Sequence, residues 1–209
     1  MEDLTNTRLR FTIMSLACFI IFANNYAFTN PDSISNEIKS HYKIADKTYN
    51  IIQAAYSFPS ILVCIPAGLL IDAKGIRFAI TLFSSFSIIG LFLFAVSASV
   101  KDKYMAIIGR AIYGIGAECQ NVWFATIISI WFHNGEVAFA TACLSSLGKL
   151  GSLASGHLTP LTYNAWGGIE GSFWIAFLFN SVALVVALVI NSIDKDKDKR
   201  RMMIQYQRI

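Results

Sequence analysis

Gly109-Arg110-Ala111-Ile112-Tyr113-Gly114-Ile115-Gly116-Ala117-Glu118 is the stretch on which the reading of this chain turns. It sits inside an apolar run, Tyr104 to Phe132, long enough to cross a bilayer, yet it carries one basic and one acidic side chain. An ionisable group at mid-bilayer costs about 2.5–3.5 kcal/mol on insertion scales, so it persists only with a partner or a water-filled cavity. The next apolar run holds a third such group, Lys149, within Leu144-Ser145-Ser146-Leu147-Gly148-Lys149-Leu150-Gly151-Ser152. Glu118 lies 14 residues into its span and Lys149 about 12 into the next. At about 1.5 Å rise per residue, both fall near the bilayer centre. The spacing predicts that Glu118 and Lys149 face one polar cavity and can pair with each other when it is empty, the alternative being a purely structural ion pair that fixes the two helices. When the cavity is filled, they hold the two ends of a small zwitterionic solute. Arg110, nearer the opposite membrane face from the termini, reads as a helix-pairing or coupling residue.

The composition places the remainder of the chain around this stretch. Of 209 residues, 55% are hydrophobic and only 14% charged, with a mean hydropathy of +0.54, whereas soluble domains carry about 25% charged residues. Six apolar runs emerge, at about 11–28, 48–71, 78–98, 104–132, 137–158 and 172–193, which predicts an all-α polytopic membrane bundle. The first run has no small-x-small cleavage site and reads as a retained span. Residues 1–10 form a polar N-terminus, and 194–209 a basic tail or linker whose Asp-Lys alternation reads as solvated. An even number of spans puts both termini on one side. That side carries ten basic residues against five in the opposite loops, so both termini are expected to be cytoplasmic. The net charge of +4 is no nucleic-acid signature, because six of the 17 basic residues crowd the last 15 positions.

Several finer expectations follow. In the 29–47 loop, Asp32 or Ser33 is expected to cap a short helix beginning near Ser35. Short loops between spans two and three, three and four, and four and five predict adjacent antiparallel neighbours. The fifth span is expected to end at Thr159-Pro160. Gly68 at the end of span two, Gly109, Gly114 and Gly116 in span four, and Gly148, Gly151, Ser152, Ser155 and Gly156 in span five, read as close-packing positions. Asn24, Asn25, Tyr26, Gln53 and Tyr56 supply polar groups either to the cavity or to interhelical hydrogen bonds. Cys18, Cys64, Cys119 and Cys143 fall within apolar runs and read as packed thiols. His133 and His157 lie at span ends, and His41 in a loop. No metal-spaced cluster, catalytic constellation or phosphate-cradling loop is visible, so neither an enzyme nor a cofactor is expected.

Two motifs refine the class. Gly68-x-x-x-Asp72-x-Lys74-Gly75-x-Arg77 joins spans two and three, and Arg110-x-x-x-Gly114-x-Gly116 lies in span four. Both resemble signatures of the major facilitator superfamily in the expected places, although Ala73 and Ile76 stand where that pattern usually has basic residues. The resemblance implies that Asp72 and Arg77 latch the cytoplasmic gate. Asn30-Pro31, Tyr56-Ser57-Phe58-Pro59, Tyr113-Gly114-Ile115-Gly116-Ala117-Glu118, Trp131-Phe132 and Lys149-Leu150-Gly151-Ser152 further resemble the lysosomal dipeptide uniporter group of that superfamily. That resemblance assigns the dipeptide's amino end to Glu118 and its carboxyl end to Lys149. The group commonly has arginine at the latter position, and lysine offers a point charge in place of a bidentate fork.

The expectation is therefore a six-helix bundle equivalent to the N-terminal half of a twelve-helix facilitator. It moves a zwitterion such as a dipeptide by alternating access, in a lysosomal or other endomembrane. Substrate contacts fall on Glu118, Lys149, Tyr56 and Asn25. Motif residues are Gly68, Asp72, Gly75, Arg77, Arg110, Gly114 and Gly116. Implied partners are the small-molecule substrate, the lipid bilayer, and a C-terminal half or second copy, with no nucleic acid. The alternative is a non-transporting membrane scaffold that binds a partner subunit through its Gly/Ser faces.

Overall fold

A chain this apolar must satisfy its backbone hydrogen bonds within each segment, which selects helices. The computed structural model describes residues 2–132 and 135–206, and these fold into seven α-helices. They are α1 (Glu2–Thr29), α2 (Ser35–Tyr42), α3 (Asp46–Lys74), α4 (Ile76–Val100), α5 (Lys103–Trp131), α6 (Glu136–Ala165) and α7 (Ile169–Tyr206), with a 3-10 turn at Asp32–Ile34. No strand occurs among the described residues. Among the described residues, five segments are long and apolar enough to cross a membrane: Leu9–Tyr42, Asp46–Lys74, Ile76–Val100, Glu136–Ala165 and Ile169–Lys195. Helix α5 has the length, 29 residues, but Arg110, Glu118, Gln120 and Asn121 dilute its hydropathy. Burial offsets part of the cost: Arg110, Tyr113, Ala117, Gln120 and Trp123 are enclosed by neighbours, whereas Glu118 is half-buried and Asn121 exposed.

Helix α5 packs on α3 and α4, α1 packs on α6 and α7, and α4 against α7 joins the two groups. Exchanging α1, α3 and α4 for α5, α6 and α7 maps this pattern onto itself. Each exchanged set, α1-α3-α4 and α5-α6-α7, holds three spans, an odd number, so the two sets run in opposite senses across the bundle, as inverted repeats do. The expected adjacency of spans four and five is corrected here, because α6 lies against α1 and barely touches α5. A short loop makes neighbours antiparallel, but repeat packing decides which faces meet.

The core falls into three layers. At the end holding the chain termini, Ile13, Ala17, Ile80, Trp123, Ile127, Phe132 and Ile190 cluster. Trp123 donates its indole N–H to the Ile76 carbonyl at 3.1 Å, and Arg10 pairs with Glu136 at 2.7 Å. At the other end, Ile34, Ile38, Tyr42, Phe94, Ala98 and Phe173 cluster, bringing α2 onto the ends of α4 and α7. Between them, Tyr26, Tyr56, Leu91, Tyr113, Ala117 and Ala176 form a middle layer. Both cysteines Cys18 and Cys119 are buried, Cys64 and Cys143 are half-buried, and none is bonded to another.

Glycines set the close approaches. A Cβ on Gly90 would sit 2.2 Å from the Tyr113 backbone nitrogen, one on Gly116 2.4 Å from that of Ser87, and one on Gly151 2.4 Å from the Phe22 carbonyl. Gly109, Gly116 and Gly151 therefore pack as expected. Gly156 and Gly68 do not, since nothing lies within 4 Å of either. Gly75 turns the chain from α3 into α4 at φ +86°, a conformation that favours glycine.

Local expectations are revised at three places. The 29–47 loop has no side-chain cap before α2, because the Asp32 carboxylate is taken by Tyr49 and Gln53 instead. Helix α6 runs through Pro160 to Ala165. Asn30 anchors that turn by donating to Thr159 Oγ1 at 3.0 Å and the Ser172 carbonyl at 3.3 Å. Helix α7 continues unbroken through the Asp-Lys alternation to Tyr206. His133 lies outside the described residues.

The glycine seam makes a stability prediction. Gly116→Ala should lower the thermal midpoint of the purified chain, in line with the ~1–3 kcal/mol typical of overpacking. Gly156→Ala, in open space on a helix, should leave it unchanged or slightly raised. Equal losses in the two variants would contradict the packing account.

Candidate functional site

The site begins with the α3–α5 seam. A Cβ on Gly114 would lie 2.2 Å from the Tyr56 carbonyl, so glycine here is what lets α3 approach α5 at the height of the middle layer. Tyr56 then reaches across and donates its hydroxyl proton to Glu118 Oε1 at 3.0 Å. Asn121, one turn further along α5, donates its amide to Glu118 Oε2 at 3.0 Å. Both carboxylate oxygens are thus fixed by neutral donors, and among the described residues no cation pairs with Glu118. Such donors hold a carboxylate in place while leaving its charge uncancelled.

Asn24, Asn25, Phe28, Tyr56, Ala117, Glu118 and Asn121 line a recess of about 120 Å³ around this carboxylate. Helix α1 supplies the facing wall. Its Asn25 amide bonds back to the Ile21 carbonyl at 2.9 Å, and Asn24 donates to Gln120, which in turn donates to Ser84 Oγ at 3.1 Å. Tyr113 closes the floor by donating to the Asn24 carbonyl at 2.7 Å. Of the proposed substrate contacts, Glu118, Tyr56 and Asn25 meet in one recess. Phe28 and Asn121 were not foreseen. Asn121 was signalled by its three-residue offset from Glu118, which places it on the same helix face.

Lys149 does not line the recess. It is exposed and makes no ion pair among the described residues, so the expected direct pairing with Glu118 is corrected. The cause is the packing of α6 on α1. Gly148, the preceding residue, sits against the Asn25 amide, which puts Lys149 at the height of the recess.

The motif residues occupy two other places. Arg77 donates to Asp194 Oδ2 at 2.7 Å and to the Asp194 carbonyl at 3.0 Å. Asn191 reinforces this by donating to the Arg77 carbonyl at 3.0 Å. Asp72 is exposed and lies outside the ion pairs seen among the described residues. Arg110 is 1% exposed, with its guanidinium 5.4–5.9 Å from the rings of Phe28, Tyr56, Phe94 and Tyr113. It donates to Gln53 Oε1 at 2.6 Å and makes two long contacts of 3.5 Å to the Phe28 carbonyl.

Comparison with known proteins agrees with this architecture. A sequence model described as Major Facilitator Superfamily matches residues 14–203. The Mus musculus lysosomal dipeptide transporter MFSD1 is 26% identical over 200 residues, covering 91% of this chain and 43% of that protein. Its Homo sapiens counterpart is 25% identical, with coverages of 86% and 40%. The Mus musculus choline/ethanolamine transporter FLVCR1 is 22% identical over 76% of this chain and 28% of its own length. The chain thus spans less than half the length of these relatives, and the aligned part is equivalent to an N-terminal half. With an all-helical bundle of apolar spans, inverted three-helix groups and a family match across nearly its whole length, this chain belongs to the Major Facilitator Superfamily.

Proposed function

We propose that this chain forms the N-terminal half of a secondary transporter that moves a small zwitterion, a dipeptide for preference, by alternating access. The observation that carries the reading is Glu118: a carboxylate in the middle layer, oriented by Tyr56 and Asn121 and, among the described residues, not ion-paired with a cation. It receives the solute's ammonium group. Lys149, exposed at the same height, receives the carboxylate. The recess of about 120 Å³ is small against the ~300–1,000 Å³ of complete ligand pockets, consistent with a site whose second wall comes from a further six-helix unit. The unpartnered apolar faces of α3 and α6 favour the same arrangement: Phe58 is 76% exposed and Ile65 75%, while Leu153 and Leu161 lie open on α6. We place the protein in the lysosomal membrane with both termini cytoplasmic, on the basis of its charge distribution and its relatives.

Uptake of labelled dipeptide by vesicles carrying the full-length or paired protein tests the site. Glu118→Gln should reduce transport at low substrate about 10- to 100-fold, the range of a lost charged hydrogen bond of ~1.5–3 kcal/mol. Lys149→Ala should weaken uptake of a dipeptide with a free carboxylate while sparing its C-terminal amide. Wild-type transport by both variants would reject the assignment. A scaffold without transport would instead show no substrate-dependent thermal shift and a stable complex with a partner protein.

Topology is tested by a membrane-impermeant maleimide on intact organelles. A cysteine replacing Lys74 should react from the cytosolic side, and one replacing Ser40 only after permeabilisation. The reverse pattern would invert the orientation.

A further inference from the structure

Arg110 poses a physical problem that the transport reading leaves open. Its guanidinium is enclosed, yet among the described residues no carboxylate lies within ion-pair distance of it, and its Nε has no hydrogen-bond partner. A buried cation must be matched by an anion or by strong acceptors. Two carboxylates lie within reach through one intervening group. Asp32 is reached through Gln53, whose carbonyl accepts from Arg110 at 2.6 Å while its amide N–H donates to Asp32. Glu118 is reached through Tyr56, whose ring lies 5.4 Å from the guanidinium and whose hydroxyl donates to the carboxylate. Gln53 and Tyr56 are three residues apart on the same face of α3. Arg110 and Glu118 are eight apart on α5, about 12 Å along its axis.

We propose that Asp32 is the counter-ion of Arg110, acting through Gln53, and that this relay is a positioning element that keeps the guanidinium away from Glu118. The order of the relay fixes its polarity. An amide set between a cation and an anion turns its oxygen to the first and its nitrogen to the second, and each bond strengthens the other. Asp32 is exposed, and Tyr49 adds a second donor to it at 3.2 Å while also reaching the neighbouring Pro31 carbonyl at 3.1 Å. With Arg110 satisfied at this end, Glu118 keeps its charge for an incoming ammonium. Without the relay, Glu118 becomes the anion nearest to Arg110 along α5, and the internal cation occupies the place of the solute. This inference rests on the proposed ammonium site, but its test does not need the solute.

The test uses the full chain, purified in detergent, with two readouts: its thermal midpoint, and the labelling rate of Glu118 by dicyclohexylcarbodiimide measured by mass spectrometry. That reagent attacks protonated carboxyls in apolar surroundings, so a guanidinium moved beside Glu118 slows it. Asp32→Asn should lower the midpoint and slow labelling about tenfold, the factor set by a charged hydrogen bond that withholds the Glu118 carboxyl from the reagent. Adding Gln53→Glu to Asp32→Asn places a carboxylate directly on Arg110 and should restore both. If Asp32→Asn leaves both readouts at wild type, the relay is overturned. It is equally overturned if the double variant restores neither, since the single change would then act by local disruption. Protection of wild-type Glu118 by an added dipeptide reports separately on the transport site, and its absence would count against that site while leaving the relay standing.

Discussion

A guanidinium and a carboxylate in one apolar helix constrain everything packed around them. Neither Arg110 nor Glu118 is affordable in hydrocarbon, so α5 must be wrapped by helices that present polar groups at two heights. Helix α3 does this with Gln53 and Tyr56, one turn apart, and Gly114 removes the side chain that would hold α3 off. Helix α1 supplies Asn24 and Asn25 from the other side. The four aromatic rings around Arg110 add favourable contacts to a cation and exclude water from the level below the recess. The α3–α5 seam is therefore both the packing solution for two charges and the floor of the site.

The two ends of the bundle are held differently from its middle. Arg77 with Asp194, and Arg10 with Glu136, tie helix ends together at the terminal face, and Asn30 ties α1 to α6 and α7 at the opposite face. Between them the Glu118 carboxylate is held by two neutral donors, Tyr56 and Asn121, and Gln120 bonds Ser84. A binding site gains from this arrangement. Its charged group is held in register, but its charge is not spent on an internal partner, so a ligand of opposite sign has something to compensate.

Much of this was legible in the sequence. Hydropathy located the spans, and the rarity of intramembrane charge singled out Arg110, Glu118 and Lys149. Polar residues within apolar spans pointed to Tyr56 and Asn25. What was not legible depends on helix order in space. Loop length suggested that spans four and five touch, whereas repeat packing seats α6 on α1, and this is why Lys149 and Glu118 are separated. Asp32 read as a helix cap because it precedes a short helix. Its engagement with Gln53 and Tyr49 crosses from the loop to α3, and no local pattern encodes that. Gly68 and Gly156 resembled packing glycines by spacing alone, while the contacts that use glycine fall at Gly90, Gly114, Gly116 and Gly151.

The central claim is that Glu118, oriented by Tyr56 and Asn121, is where a zwitterion's ammonium group binds. An experimental structure of the full-length protein with a dipeptide bound tests it most directly. The account predicts the peptide's amino nitrogen within hydrogen-bond distance of the Glu118 carboxylate, with Tyr56 still donating to it. A peptide bound elsewhere, or bound with its amino group away from Glu118 while Arg110 occupies that carboxylate, would contradict it.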